Sequence, residues 1–147
     1  MAIVRGCNFP DDLLYDVQRH VWYLPMADGL ARSGMTSVGV ALAREVIVFT
    51  PKRAGNSFEK GRAFATVESA KWVGSVRSAF NGSVVQTNDK AINDPGLVNR
   101  DCYGEGWLLL VRPDIADWRA GLVSGQAMES AYEEWMESEA YPGCKDS

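Results

Sequence analysis

The sequence predicts a mainly β fold with helices at its periphery and one helix at the C-terminus. Short runs of β-branched and aromatic residues alternate with Gly, Pro, Asn and Asp, which is typical of strands joined by turns. One stripe of apolar residues at helical spacing follows near the end of the chain. The 147 residues are 46% hydrophobic and 23% charged, so we expect one core and a single domain over residues 1–147.

The first half of the chain predicts a hairpin, a short helix and a strand. Residues 21–24 and 30–35 are expected to pair around the turn-forming dipeptide Asp28-Gly29. Small apolar residues at 37–44 indicate one helical piece packed on the sheet. Residues 45–49 are Glu-Val-Ile-Val-Phe, which predicts a strand that Pro51 terminates.

The second half predicts four strands and a C-terminal helix. Residues 63–67 and 72–76 form a second hairpin, residues 83–87 follow a turn, and the very apolar residues 107–111 are expected in the core. The segment 93–96, Asn-Asp-Pro-Gly, interrupts the chain. A stripe at i, i+3, i+4 and i+7 predicts a docked helix over about 124–137; its members are Met128, Ala131, Tyr132 and Trp135. Residues 138–147 contain Pro142-Gly143 and are expected to form a loose end.

Lys71 lies between the two strands of the second hairpin, which places it at an exposed tip. The chain has only five lysines against ten arginines. A lysine that is reachable and sterically isolated suits covalent modification. The simpler interpretation is a solvated turn lysine, because most surface lysines have no other role.

Four motifs occur in order between residues 61 and 112. They are Val67-Glu68-Ser69-Ala70-Lys71, Asn81-Gly82-Ser83-Val84-Val85, Asp94-Pro95-Gly96-Leu97-Val98-Asn99 and Tyr103-Gly104-Glu105-Gly106-Trp107. This ordered set resembles the lipoyl-carrier H-protein of the glycine cleavage system, and the resemblance covers roughly residues 15–137. It implies a lipoyl-domain-like flattened β-barrel or sandwich, also called a barrel-sandwich hybrid.

The resemblance implies that Lys71 carries lipoic acid in amide linkage and that the chain is a carrier without catalytic residues. A lipoate-protein ligase would then be a partner, and Glu68 is the candidate residue for recognition by that ligase. The alternative is that Glu68 is only a solvated charge at the edge of the sheet. Trp72 directly follows Lys71, and it is expected either to line a resting groove for the arm or to pack inward.

Three positions differ from the usual family pattern. Val21 stands where the family has a glutamate, Val38 where it has a histidine, and Ser75 where an aspartate is common. In the family these polar residues help to bind an aminomethyl group, a cation that needs a counter-charge when it leaves water. We therefore expect a more apolar pocket that shelters this cargo poorly.

These differences resemble a branch of the family, the lipoate-binding proteins of the heterodisulfide-reductase-like sulfur oxidation pathway. The matching segments are Cys7-x-Phe9-Pro10-Asp11-Asp12-Leu13, Gly34-Met35-Thr36-Ser37, Thr50-Pro51-Lys52-Arg53 and Glu68-Ser69-x-Lys71-Trp72-Val73-Gly74. The branch implies sulfur-bound or redox intermediates and the heterodisulfide-reductase-like complex as partner. The alternative is a glycine cleavage H-protein. It would carry the aminomethyl intermediate from glycine decarboxylase to aminomethyltransferase, with the P-, T- and L-proteins as partners.

Two other classes stay open. A biotin carrier has a comparable hairpin lysine, but it favours Met-Lys-Met where this chain has Ala70-Lys71-Trp72. A plain protein-interaction module is the third possibility, if Lys71 is never modified.

Charge and hydropathy argue against several partners. The net charge of -4 disfavours a nucleic-acid backbone, and no apolar run approaches the length of a membrane span. The first residues lack the apolar core of a signal peptide, so we expect a cytoplasmic protein.

The cysteines and the one histidine give no metal or catalytic pattern. Cys7, Cys102 and Cys144 have no metal-ligand spacing, and three reduced thiols are the expectation for a cytoplasmic chain. The sequence leaves open whether Cys7 and Cys144, near the two termini, approach each other or a partner. His20 is the only histidine and is expected to cap or pack.

Overall fold

The computed structural model describes residues 1–144 as three antiparallel sheets with helices around them. The strands are β1 (Ala2–Val4), β2 (Cys7–Phe9), β3 (Leu14–Asp16), β4 (Val21–Pro25), β5 (Ala31–Met35), β6 (Val48–Pro51), β7 (Ser57–Phe58), β8 (Ala63–Ser69), β9 (Trp72–Arg77), β10 (Gly82–Thr87) and β11 (Leu109–Pro113). The helices are α1 (Ser37–Ala43), α2 (Asp89–Asn93), α3 (Gly96–Arg100) and α4 (Gly125–Ser138). One sheet has the order β3-β4-β5-β11-β10-β7, the second β6-β8-β9, and β1 pairs with β2.

The six-stranded and three-stranded sheets share one hydrophobic core. Tyr23 and Leu109 from the first sheet and Phe49 and Val67 from the second are buried in the same cluster. Two sheets whose apolar faces meet in this way form a sandwich. The predicted β-sandwich with peripheral helices is therefore confirmed.

A second core lies under α4, the predicted C-terminal helix. Met128, Tyr132 and Met136 follow one face of the helix and are buried against aromatic residues of the N-terminal segment, such as Phe9 and Trp22. On the outer face Arg5 pairs with Glu133 at 2.7 Å and with Glu137 at 2.9 Å. The predicted stripe is confirmed, with Met136 as a further buried member.

Cys7 and Cys144 form a disulfide, so the expectation of three reduced thiols is wrong for these two residues. The fold brings together two residues that are 137 positions apart, which spacing alone does not reveal. Cys102 keeps a free, buried thiol, and burial raises its pKa to about 12. A disulfide is also unusual for the cytoplasmic location that the sequence favours.

The predicted loose end is tethered as far as the structure describes it. The Tyr141 amide donates to the Met136 carbonyl at 2.8 Å, and the Cys144 amide donates to the Arg5 carbonyl at 3.0 Å. The first bond ties the segment after α4 to the end of that helix, and the second, together with the disulfide, holds it against the N-terminal hairpin. Residues 145–147 of the predicted loose end lie outside the described residues.

Several predicted boundaries shift. The strand expected at 45–49 is β6, which begins at Val48 and includes Pro51. Val46 instead donates its amide to the Asn99 side chain at 2.8 Å, and Pro51 is tolerated because β6 is an edge strand. The strand expected at 107–111 is β11, and the break at 93–96 separates α2 from α3. The three N-terminal strands were not predicted.

Within residues 1–144, no helix combines the length and the apolar character that crossing a membrane requires.

Candidate functional site

Lys71 lies at the tip of the β8–β9 hairpin. Ser69 pairs with Trp72, so only Ala70 and Lys71 connect the two strands. Both connecting residues are exposed. The predicted hairpin is confirmed, and a two-residue connection holds the lysine close to a paired sheet rather than on a long loop.

An open groove of about 600 Å³ begins beside Lys71. One wall is the hairpin tip, and the other is the end of α1 with the segment that follows it. Leu42, Ile47 and Trp72 line it and are 46%, 53% and 44% exposed. The charged residues Arg44 and Glu45 also line it. Three large apolar side chains left this exposed around one lysine make the groove suited to an apolar ligand.

Trp72 forms the boundary between this groove and a smaller cavity. Its indole lies across Gly74 on the same face of β9, and a Cβ at Gly74 would overlap the ring. The absence of a side chain at Gly74 therefore allows Trp72 to fold along the strand. Trp72 lines both spaces, which agrees with its predicted position in a groove.

The smaller cavity has a volume of about 130 Å³, roughly ten times what one water molecule requires. Leu42 and Trp72 line the groove and the cavity alike, so the two spaces adjoin. Apolar side chains form most of the wall, namely Met35, Leu42, Val67, Trp72 and Val76. Its polar lining residues are Arg19, His20 and Ser75.

Arg19 and His20 are held by buried partners. Arg19 Nη1 donates to Asp16 Oδ2 at 3.0 Å, and the Asp16 side chain is only 7% exposed. His20 Nδ1 lies 3.1 Å from the hydroxyl of Tyr132. Burial lowers the pKa of His20 to about 4, so the ring is neutral at pH 7. His20 also packs edge-on against Trp135, as its predicted packing role requires.

Val21 and Val38 do not form the apolar wall that the sequence predicted. Both side chains are fully buried, Val21 in the core between the sheets and Val38 in the core under α4. Neither lines the cavity, whereas the neighbouring His20 does. The third substituted position, Ser75, does line it. The cavity lacks an acidic lining residue, but it is not wholly apolar.

Glu68 lies near the tip but outside the groove lining. It is half-buried on β8, directly opposite Val73 on β9, and Val48 on β6 pairs with it on the other side. Its backbone carbonyl accepts the amide of Ile47 at 2.8 Å. The structure shows no cofactor role for Glu68, and recognition by a ligase stays a prediction.

Sequence reasoning missed Arg19, Leu42 and Ile47. Leu42 and Ile47 lie on either side of Arg44, the residue at which α1 ends with a φ of 63°. Two apolar residues that flank a helix end are the sequence feature that could have indicated them. The signal for Arg19 was its spacing of three from Asp16, but that spacing becomes a pair only through the turn before β4.

An exposed lysine on a tight hairpin of a small β-sandwich, beside an apolar groove, defines the class of carrier domains that hold a prosthetic group on a lysine. A family model described as "Glycine cleavage H-protein" matches residues 13–135. The chain therefore belongs to the glycine cleavage H-protein family, whose members carry covalently attached lipoic acid on a lysine.

Named relatives agree with this assignment. "Glycine cleavage system H protein 5" of Aquifex aeolicus is 42% identical over 117 residues, which are 77% of this chain and 78% of the relative. "Glycine cleavage system H protein 2" of the same organism is 37% identical over 140 residues, with 92% and 84% covered. The crystal structure of a glycine cleavage system H protein from Mycobacterium marinum superposes with a TM-score of 0.72 at 28% identity, covering 90% of this chain and 99% of the other.

Proposed function

We propose that this chain is a non-catalytic carrier that is lipoylated on Lys71. The observation that supports it best is the position of Lys71, exposed on a two-residue hairpin at the mouth of an apolar groove. None of the other four lysines of the sequence lies in a Glu-Ser-x-Lys turn. The carrier is proposed to act as one domain over residues 1–147.

The apolar part of the groove lining suits the hydrocarbon chain of a lipoyl arm. A lysine side chain extended by the acyl chain reaches about 14 Å, judged from bond lengths. Its methylene groups would find apolar contacts with Leu42, Ile47 and Trp72. When attached, lipoate supplies two sulfur atoms that accept and release a transferred group or electrons.

The rest of the site keeps the tip in place. β8 pairs with β6 on one side and β9 on the other, so backbone hydrogen bonds fix both ends of the two-residue connection. The arm would therefore move on a rigid base, and partner enzymes would meet the same surface each time. Glu68 lies on this surface and is the residue that we propose a lipoate-protein ligase recognises.

The names of the relatives favour the glycine-cleavage role, which the sequence analysis held as the alternative. In that role the cargo is an aminomethyl group, and the partners are the P-, T- and L-proteins. A cytoplasmic location is proposed with it.

A second candidate is the sulfur-oxidation role with the heterodisulfide-reductase-like complex. Those names do not support it, but one feature of the cavity favours it. No acidic residue lines the cavity, and Arg19 does. A cationic aminomethyl cargo would meet no counter-charge there, whereas an anionic sulfur cargo would meet the charge of Arg19 and a neutral one would need none.

Incubation with a lipoate-protein ligase and lipoate tests the carrier role. Intact mass should show one lipoyl group on the wild-type protein and on a Lys90→Arg control, and none on Lys71→Arg. The formal charge should change from -4 to -5, since 14 basic and 19 acidic charges remain, and a native gel resolves this change. Lipoylation of the Lys71→Arg variant would refute the assignment.

Exchange of the protein for an authentic H-protein tests the role itself. In a reconstituted reaction with glycine decarboxylase and aminomethyltransferase, turnover near that of the authentic protein supports glycine cleavage. Turnover lower by a hundredfold or more, roughly the loss of one to two charge-assisted contacts, supports the second candidate.

A further inference from the structure

The disulfide between Cys7 and Cys144 borders an open cavity of about 790 Å³. Both cysteines line this cavity, together with residues of α1 and α3. Leu42 and Arg44 line it as well as the groove beside Lys71, so the two spaces adjoin. The disulfide is therefore next to an open space that leads toward the modified hairpin.

Only one of the two cysteines offers a sulfur that a solute can reach. Cys7 has no exposed surface, whereas Cys144 is half-buried. The Cys144 sulfur lies 3.9 Å from the hydroxyl of Tyr141, another half-buried residue of the cavity wall. Because thiol–disulfide exchange begins when a thiolate attacks an accessible sulfur, a reductant would attack Cys144 and displace Cys7.

The segment that carries Cys144 packs closely on the turn between β1 and β2. A Cβ at Gly6 would overlap the carbonyl oxygen of Cys144, and a Cβ at Gly143 would overlap the carbonyl oxygen of Arg5. The Cys144 amide also donates to the Arg5 carbonyl at 3.0 Å. These contacts involve no sulfur atom, so we expect them to keep the two thiols close after reduction, as reversible exchange requires.

The reductant that fits this site is a dithiol. In the cytoplasm, which is the location proposed for this chain, disulfides are rare, and those that occur usually serve redox chemistry. A dithiol completes the exchange without a second molecule, because its own second thiol closes a ring and releases the protein. The proposed lipoyl arm is such a dithiol in its reduced form.

We propose that the Cys7–Cys144 disulfide is a second redox site of the carrier, which accepts two electrons from a dihydrolipoyl dithiol. One thiolate of the dithiol attacks Cys144 Sγ, the S–S bond breaks, and Cys7 leaves as a thiolate that takes up a proton. The second thiol then loses its proton and attacks the dithiol's own sulfur in the mixed disulfide. This closes the ring and releases the Cys144 thiolate, which is protonated in turn. The site rests on the disulfide and its cavity, and the arm as the source of the dithiol rests on the proposed lipoylation of Lys71.

Free dihydrolipoamide and unlipoylated protein test the site without the arm. Oxidised protein is mixed with the dithiol under native conditions and quenched with N-ethylmaleimide, and the labelled thiols are counted by intact mass. Two new thiols should appear per chain, and a tenfold higher dithiol concentration should give about a tenfold higher rate. Cys102→Ser is the control and should give the same rate, because Cys102 is outside the disulfide and burial raises its pKa.

Peptide mapping identifies the sulfur that is attacked. Glutathione is a monothiol, so its mixed disulfide stays on the protein until it is trapped by alkylation of the displaced thiol. The adduct should be found on the peptide that contains Cys144, and the alkyl group on the peptide that contains Cys7.

Lipoylated protein tests the arm as the source of the dithiol. At one concentration of free dihydrolipoamide, lipoylated protein should lose its disulfide faster than unlipoylated protein, because a tethered dithiol acts at a high effective concentration. An acceleration that is independent of protein concentration identifies the chain's own arm, and one that rises with it identifies the arm of a second molecule. Lys71→Arg protein treated with the ligase should show no acceleration.

A rate that does not depend on dihydrolipoamide concentration would overturn the proposal, since it would show that the disulfide is reached only when the chain unfolds. A glutathione adduct on Cys7 alone would also overturn it. Equal rates with and without the lipoyl group would refute the arm as the source. Absence of the lipoyl mass would refute the carrier role instead, and the result with free dihydrolipoamide would still decide whether the disulfide is a redox site.

Discussion

Two regions of the molecule, the hairpin end and the clamped end, differ in how far their apolar residues are buried. At the hairpin end, Leu42, Ile47, Trp72 and Val73 surround Lys71 and are between 44% and 67% exposed. At the clamped end, which we define by Cys7, Tyr132, Met136 and Cys144, the side chains of Tyr132 and Met136 are fully buried and a disulfide joins the terminal segments. The first end leaves apolar surface for a ligand, and the second uses it for stability.

This difference has a physical reason. An apolar residue that stays exposed gives up the favourable free energy of burial, so a cluster of such residues indicates a surface that something else covers. A carrier has to combine an open arm site with a body that does not deform when partners change.

The largest effect on stability is expected from breaking the disulfide between Cys7 and Cys144. The disulfide closes a loop with a sequence separation of 137, and chain-entropy arguments give about 4–5 kcal/mol of stability for loops of this size. Reduction, or Cys7→Ser, should lower the free energy of unfolding by that order in urea titrations. Reductant should have no further effect on Cys7→Ser, and equal stability of the oxidised and reduced wild type would contradict this account of the clamp.

Matched truncations at the two ends sharpen the comparison. Met136 is fully buried, so Met136→Ala should cost about 2–5 kcal/mol of unfolding free energy. Ile47 is 53% exposed, so Ile47→Ala should change it by less than about 0.5 kcal/mol. Denaturant midpoints of the two variants provide the measurement. Similar losses of unfolding free energy at both positions would mean that Ile47 contributes to the hydrophobic core, which contradicts its assignment to the groove.

His20 makes the stability of the clamped end depend on pH. Its pKa is lowered from 6.5 to about 4 in the folded protein, because burial penalises the charged ring. Between pH 6.5 and 4 the unfolded chain therefore binds a proton that the folded chain does not. Stability is full above pH 6.5 and should fall by about 2–3 kcal/mol as the pH drops to 4.

His20→Gln isolates this contribution. The variant loses the titration, so its stability should fall less than that of the wild type across the same pH window. Tyr141→Phe is a suitable control, since it changes a half-buried hydroxyl and leaves His20 in place. Parallel curves for the wild type and His20→Gln would show that His20 is not the titrating group.

A smaller effect is expected at Gly74, which lies beneath the ring of Trp72. Gly74→Ala should displace the Trp72 ring and cost about 1–2 kcal/mol, because the added Cβ has no space beneath the indole. In a Trp72→Ala background the same change should cost much less, since the ring is gone. A double-mutant cycle measures this coupling, and additive effects would contradict the contact.

The hairpin end was the more predictable of the two from sequence. Two β-rich runs around Ala70-Lys71 set a local register, and neither strand needs a distant residue to define the tip. The exposed groove was less predictable, because Leu42 and Ile47 meet Trp72 only when α1 docks beside the hairpin. Trp72 was rightly expected near a groove, but nothing local indicated that Gly74 leaves space for its ring.

The clamped end and the cavity show what sequence pattern misses. The bond between Cys7 and Cys144 depends on how β1–β2 and the segment after α4 meet in space. Val21 and Val38 were expected in the cavity from their alignment with polar family residues, yet both point into cores. Arg19, which does line the cavity, carried no motif. Position relative to a family pattern did not predict which way these side chains face.

The carrier role rests on covalent lipoate at Lys71. Intact mass and peptide mapping of the protein purified from its own host measure this modification directly. The account predicts one lipoyl amide per chain, located on the peptide that contains Lys71 and on no other lysine. A biotinyl group, or a chain unmodified at Lys71 in a host that lipoylates its other carriers, would contradict it.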